Sequence, residues 1–474
     1  MITFGDHRDH EWEHYFKALA EPRHAEALAF FRSLEIELVA GERVARHKHE
    51  IDQQAAELKR AGIEAFIAHI PCWSSPNLVL RGVMALDRPT VLVTSRHPST
   101  HGSVGLMGAG GALSQIGKDH LRVREDFGSP KFTRRVLPFL RAAGALARLR
   151  GQEMGLFGGR SLGIDTATFD PMQWRALFGV DVEHFDQLEI LRRAEAMDPA
   201  RTQAMVAWLT AAVGRVVFNR EGATAEKLAF QCACYLATKD IIAEKRLDFV
   251  AIKCMPDLAT DHVPQCISAG LLPALADHEG PKDSIVMGCE ADADGALTMQ
   301  ILKEVSGGRP TYFGDVSHIL NEAGIMCLPN CGAFCTWFAG RSDDPAENLR
   351  RIELRPSIRR GGGCIPYFTA APGPITLARL YRTAGTYRMA IIPAEVIAME
   401  SGDLADFVKA RGKHQLPTAF VRVRLDIDRF LDEFGSNHIS GVAGNVVQEL
   451  LDVCRLSGVA PVLMDETFSE ARHR

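Results

Sequence analysis

No window of 18 residues in this chain is apolar with few charges, so no segment reads as a membrane-spanning helix. The first ten residues, Met-Ile-Thr-Phe-Gly-Asp-His-Arg-Asp-His, lack the apolar stretch of a signal peptide. The expected location is the cytoplasm. There is no basic block and no interleaving of basic with aromatic residues. With 54 Lys and Arg against 59 Asp and Glu the formal net charge is −5. The chain therefore lacks the electrostatic footprint of a nucleic-acid binder. It also lacks a Walker A sequence. Glycines 102, 105, 108, 110 and 111 tempt a nucleotide reading, but they form no Gly-x-Gly-x-x-Gly after a strand. Close helix packing, or a helix start at a substrate mouth, explains them more simply.

The 474 residues are 46% hydrophobic, enough for a substantial core and too many for one typical domain. Eleven cysteines are scattered along the chain. An odd count, with several in apolar runs, predicts free thiols in a reducing compartment. Cys327, Cys331 and Cys335 recur at every fourth position without a CxxC pair. Buried thiols are the preferred reading over a zinc or iron–sulfur site.

The predicted fold is α/β: two Rossmann-like open-sheet domains, then a mostly antiparallel, barrel-like domain. The expected boundaries are 1–155, 156–344 and 345–474. In the first segment, residues 2–4, 35–39, 65–70 and 90–94 read as strands and 46–59 as a helix, a βαβ rhythm. Ligands of open parallel sheets bind beyond the carboxyl ends of the strands, which places Arg8 and Trp73 in a functional region. The second segment repeats the rhythm, with strands at 249–253, 284–287 and 310–313 and helices near 186–214, 224–240 and 295–305. The third is strand-rich, with Gly and Pro turns.

Glu290 and Asp315 follow two of the central strands. Two acids at neighbouring strand ends concentrate negative charge, and a cation relieves that cost. Asp292 and Asp294 compete with Glu290 as ligands, and the whole stretch also reads as a solvated acidic loop. Asp315 also reads as a turn acid or N-cap. His318 is a candidate fourth ligand or a donor orienting the carboxylate. His438, between glycines and beside Asn437, reads as a ligand or as a core imidazole. His184 reads as structural. Lys253, at a strand end, is a candidate for a substrate oxygen or a solvated lysine.

The chain resembles the L-fucose/L-arabinose isomerase superfamily, closest to the L-fucose isomerase branch. The resemblance rests on Thr-Ala-Thr-Phe-Asp-Pro at 166–171, Phe-Gly-Val-Asp-Val-Glu-His at 178–184, Glu-Ala-Asp-Ala-Asp-Gly-Ala-Leu-Thr-Met-Gln-Ile-Leu at 290–302, Phe-Gly-Asp-Val at 313–316, Pro-Gly-Pro-Ile-Thr-Leu-Ala-Arg at 372–379 and Asn-His-Ile at 437–439. It implies Mn²⁺, or a similar ion such as Co²⁺ or Mg²⁺, held by Glu290, Asp315 and His438. It further implies substrate contacts by Arg8, Trp73 and Asn437, and a homohexamer or trimer with sites at subunit interfaces. The chain departs from the family pattern in places. It is shorter than typical bacterial fucose isomerases. His7-Arg8-Asp9 stands where relatives often have an arginine–proline pair, and Asn330-Cys331-Gly332 where some have His-Cys-Gly. The sugar is thereby left open: a divergent sugar, a sugar acid or a sulfonated sugar.

The implied reaction is aldose–ketose isomerisation of a monosaccharide through an enediolate, with Glu290 and Asp315 both ligands and proton carriers. Two rivals stand beside it. One is another metal-dependent enediolate enzyme, an epimerase, decarboxylase or aldolase. The other is a non-catalytic sugar-binding protein.

Overall fold

The computed structural model describes residues 1–98, 101–320, 324–332, 334–412 and 416–466. They fall into two compact units, Met1–Ala147 and Arg148–Arg474. No helix among them is long and apolar enough to cross a membrane.

The first unit is built on a four-stranded parallel sheet. Ile2–Thr3, Phe66–His69, Thr90–Thr94 and Leu121–Arg124 lie side by side in chain order. Every residue of the second and third strands is buried. Short apolar, β-branched runs of this kind suit a sheet covered on both faces. The helix Lys48–Arg60 buries Ile51, Ala55 and Leu58, an i, i+4, i+7 stripe. The Glu50 carboxylate accepts the His47 amide and closes the start of that helix. Residues 35–39 do not form the expected strand. Val39 accepts from the Met1 amine just before the first strand, and beyond the segment the Gly41 amide donates to the Met1 carbonyl. Alternation there marks a half-covered loop without a ladder. The glycines at 102–111 lie inside a helix, Gly102–Gln115. A Cβ on Gly105 would stand 3.0 Å from Ile70 Cγ2 and 3.1 Å from the Ser74 nitrogen, so helix packing accounts for it.

The second unit holds a four-stranded parallel sheet ordered Met287–Cys289, Phe249–Ile252, Glu153–Phe157, Asp181–Phe185. It continues into a curled, largely antiparallel sheet. The order there is Thr311–Asp315, His438–Ala443, Gly373–Thr383, Thr386–Val396, Thr418–Val423, Ile325–Pro329 and His318–Leu320. Ala460–Leu463 adds in parallel beside Thr386–Val396. The central hairpin turns at Ala384 and Gly385, both at positive φ, as a two-residue turn between twisted strands requires.

The helix Ala293–Val305 joins the two sheets. It packs on Phe249–Ile252 and Met287–Cys289 on one side and on Thr311–Asp315, Gly373–Thr383 and His438–Ala443 on the other. It is buried nearly all round, which its run of Ala, Leu, Met and Ile allows. The strand that carries Asp315 corrects the sequence reading. It does not lie in the central parallel sheet beside the Glu290 strand. It pairs antiparallel with the strand of His438, and Asp315 stands directly opposite that histidine.

Candidate metal centre

Three elements deliver the site. Met287–Cys289 ends immediately before Glu290. Thr311–Asp315 ends at Asp315, and His438–Ala443 begins at His438. Glu290 and Ala291 both take positive φ, 58° and 53°. Two consecutive non-glycine residues in that region store backbone strain. The turn brings the chain from strand to helix within three residues and leaves Glu290 at the strand tip.

One ligand atom from each of Glu290, Asp315 and His438 lies within 4.8 Å of the others. His438 Nε2 is 3.1 Å from Glu290 Oε2 and 3.3 Å from Asp315 Oδ1. Glu290 and His438 are buried, while Asp315 is partly exposed and gives the centre an open side.

Asp292 is no ligand in this arrangement. Its Oδ2 lies 2.7 Å from His438 Nδ1. The Arg379 guanidinium grips the same carboxylate from behind, Nη1 to Oδ2 at 2.6 Å and Nη2 to Oδ1 at 3.0 Å. Asp292 also accepts the Gly295 amide at 2.8 Å, capping the joining helix. Burial pushes the Asp292 carboxyl up, but Arg379 and His438 outweigh it and hold it below the usual carboxylate range. An ionised Asp292 accepts from Nδ1–H, so once Nε2 gives up its proton the Nε2 lone pair faces Glu290 and Asp315. That buried Nε2 makes no hydrogen bond of its own. Two carboxylate oxygens and one imidazole nitrogen converging on an orphaned nitrogen form a donor set that fits a divalent cation. Without a cation, burial lowers the His438 pKa. Asp292, Asp315 and Glu290 overcome that and raise it well above the ordinary imidazole value.

Asp294 is fully buried behind this layer. Its Oδ1 accepts Trp174 Nε1 at 3.0 Å and the Tyr387 hydroxyl at 2.8 Å. Burial raises its pKa to about 7, against the pull of Arg379 and Tyr387.

The other expected residues fall as follows. Asn437 precedes His438, and its Oδ1 accepts the Thr166 hydroxyl at 2.7 Å. Thr166 in turn offers its carbonyl to Arg379 at 2.7 Å, so the 166–171 motif and His438 share one network. Lys253 pairs with Asp257 at 2.6 Å. Arg8, in the first unit, is locked onto the buried carboxylate of Asp6 and reaches Glu11 at 3.2 Å. Trp73 is half-buried on a cluster with Trp12, Phe16 and Val44 in the same unit. His318 is exposed on its own strand and stands outside the three-ligand group. His184 is an exposed strand residue. The three regularly spaced cysteines face different surroundings. Cys327 packs with Ile325 and Phe420, Cys331 with Cys254 and Met255, and Cys335 is buried elsewhere with its thiol pushed up to about 12.

Sequence reading missed Arg379 and the role of Asp292. A lone arginine inside the apolar run 375–381 was the available signal, since a buried charge demands a partner.

Parallel α/β layers, a curled antiparallel sheet and this donor set define a metal-binding enzymatic fold of the sugar-isomerase kind. Residues 14–151 match the first N-terminal domain of L-fucose isomerase, and residues 328–465 match its C-terminal domain. Together these matches take in more than half the chain, and the chain belongs to the L-fucose isomerase superfamily. It is 24% identical over 389 residues to a sulfoquinovose isomerase of Alkalicoccus urumqiensis, covering 78% of this chain and 80% of that protein. It is 22% identical over 370 residues to the sulfoquinovose isomerases of Priestia megaterium and Priestia aryabhattai, covering 77% of this chain and 78% of each.

Proposed function

We propose that this protein is a Mn²⁺-dependent aldose–ketose isomerase acting on a six-carbon sugar, with sulfonated sugars the first class to test. The observation that supports metal dependence is the buried Nε2 of His438, unbonded and set between two carboxylates, and the superfamily supports the isomerase type. The names of the three curated relatives support the substrate class.

Glu290, Asp315 and His438 would hold a divalent cation, which when bound would supply Lewis-acid polarisation of the substrate. The side chains do the rest. One of the two carboxylates takes the proton from C2, and the other returns a proton at C1 or shuttles the hydroxyl proton. Asp292 keeps Nδ1 of His438 protonated and the ring fixed. Asn437, beside His438, is the proposed sugar contact of the second unit, with Lys253 a further one; Arg8 and Trp73 are proposed to reach the sugar bound by a neighbouring copy in an oligomer.

The test is an assay with added Mn²⁺ across sulfoquinovose, neutral aldoses and sugar acids, followed by NMR in deuterated water. Conversion to the ketose with deuterium entering the product is expected. Conversion without exchange would leave the carboxylates as ligands only and shift the mechanism to a hydride transfer. Tight sugar binding with no turnover of any substrate would sink the enzyme reading.

A further inference from the structure

Cys331 is the only one of the eleven cysteines that is not fully buried. It sits in the Asn330-Cys331-Gly332 turn, and three other thiols surround it. The Cys266 and Cys289 thiols are neighbours of its sulfur, and Cys254 packs beside it. Cys266 lies hard against the turn itself. Its Sγ is 3.3 Å from the Cys331 carbonyl oxygen, and a Cβ on Gly332 would stand 2.5 Å from that sulfur. Only glycine fits there, and its φ of 136° suits glycine too. The Arg359 guanidinium faces the Cys331 sulfur. Its Nε is buried without a hydrogen-bond partner, so a negative sulfur is a fitting neighbour for it. The two neighbouring thiols, with help from Arg359, hold Cys331 below the usual thiol range against the cost of burial. The other buried thiols move the opposite way: burial raises Cys254 and Cys364 to about 12. A thiolate next to a cation, with two thiols in contact, is the setting of a reactive cysteine with resolving partners.

We propose that Cys331 is a peroxide-reactive thiol of this protein and closes a disulfide with one of two neighbouring thiols, Cys266 or Cys289. The Cys331 sulfur attacks a peroxide oxygen and the O–O bond breaks. Sulfur loses two electrons to become a sulfenic acid, and the departing hydroxide takes a proton and leaves as water. The neighbouring thiol then attacks the sulfenic sulfur. The S–S bond forms, the S–O bond breaks, and hydroxide leaves with the thiol proton as a second water. One peroxide is reduced for each disulfide formed. Closure on Cys289 would tie down the residue immediately before Glu290.

The test uses the full-length protein with hydrogen peroxide, non-reducing peptide mapping by mass spectrometry, and a dimedone trap. Sulfenic acid is expected first at Cys331, followed by a cross-link from Cys331 to Cys266 or Cys289 that thiol reductant reverses. Brief iodoacetamide treatment of the untreated protein should modify Cys331 at least about tenfold faster than any other cysteine. These readouts need no variant, so a Cys331→Ser protein that failed to fold would not spoil them. A folded C331S protein should keep its remaining thiols reduced under the same exposure. Oxidation starting at another cysteine, or Cys331 passing to sulfinic acid without a cross-link, overturns the proposal.

Discussion

Asp292 and His438 are 146 positions apart in sequence and 2.7 Å apart in the fold. The carboxylate orients the imidazole while Arg379 orients the carboxylate, so the direction of Nε2 toward Glu290 and Asp315 is set by a chain of two buried partners. Such outer partners tune a ligand nearly as strongly as the ligand's own identity.

Asp292→Asn should therefore weaken divalent-metal affinity by roughly 10–100-fold, because the amide no longer fixes the tautomer. It should also destabilise the fold by about 3–5 kcal/mol, because Arg379 is left buried without its counter-charge. Calorimetric Mn²⁺ titration and denaturant melts measure the two effects separately.

Asp315→Asn tests the centre with less structural damage, since Asp315 is partly exposed. The variant should fold normally and lose most of its metal occupancy or activity. Metal analysis beside the turnover assay checks this, and full retention of both would mean that the cation does not sit here.

Protons and metal compete at His438. In the metal-free protein its pKa is raised above the unfolded value, so its contribution to stability is complete below about pH 6.5 and is lost as pH rises through the folded pKa. A divalent cation held there would have to displace that proton. Metal binding should release a proton near neutral pH and tighten as pH rises. Titration calorimetry in two buffers of different ionisation enthalpy reads the proton directly.

Asp294 has its folded pKa raised to about 7, above the ordinary carboxyl value of 3.8. The native state then binds more protons than the unfolded state between those values, so stability falls as pH rises across that window. Asp294→Asn keeps an oxygen for Trp174 and Tyr387 and removes the buried charge. The variant should gain stability relative to the parent above pH 7, and the gain should vanish near pH 4. Melting temperatures across that range decide it.

Gly295→Ala places a Cβ 2.7 Å from Arg379 Nη1 and Phe313 Cε2, and 2.8 Å from Asp292 Oδ2. The crowding should cost about 1–3 kcal/mol and loosen the Asp292 clamp. Lower melting temperature together with weaker Mn²⁺ binding is the expected outcome.

Local pattern determined much of this protein by itself. Parallel strands at 66–69, 90–94 and 249–252 and the stripe on Lys48–Arg60 follow from β-branched runs and helical spacing. Glu290 and Asp315 are strand-end acids by the same logic, and the superfamily resemblance named His438 with them. Tertiary structure alone decided which sheet Asp315 belongs to. Its strand is as short and apolar as its parallel neighbours, and only pairing with His438–Ala443 sets it antiparallel. The split of the acidic stretch into one candidate ligand, Glu290, one clamp, Asp292, and one buried acid, Asp294, was also illegible locally. Spacing places all three near one turn, but Arg379, 87 positions from Asp292, and Tyr387, 93 from Asp294, assign their roles. Burial and long-range partners fix the charge state and job of a carboxylate, and neither is a property of its neighbours in sequence.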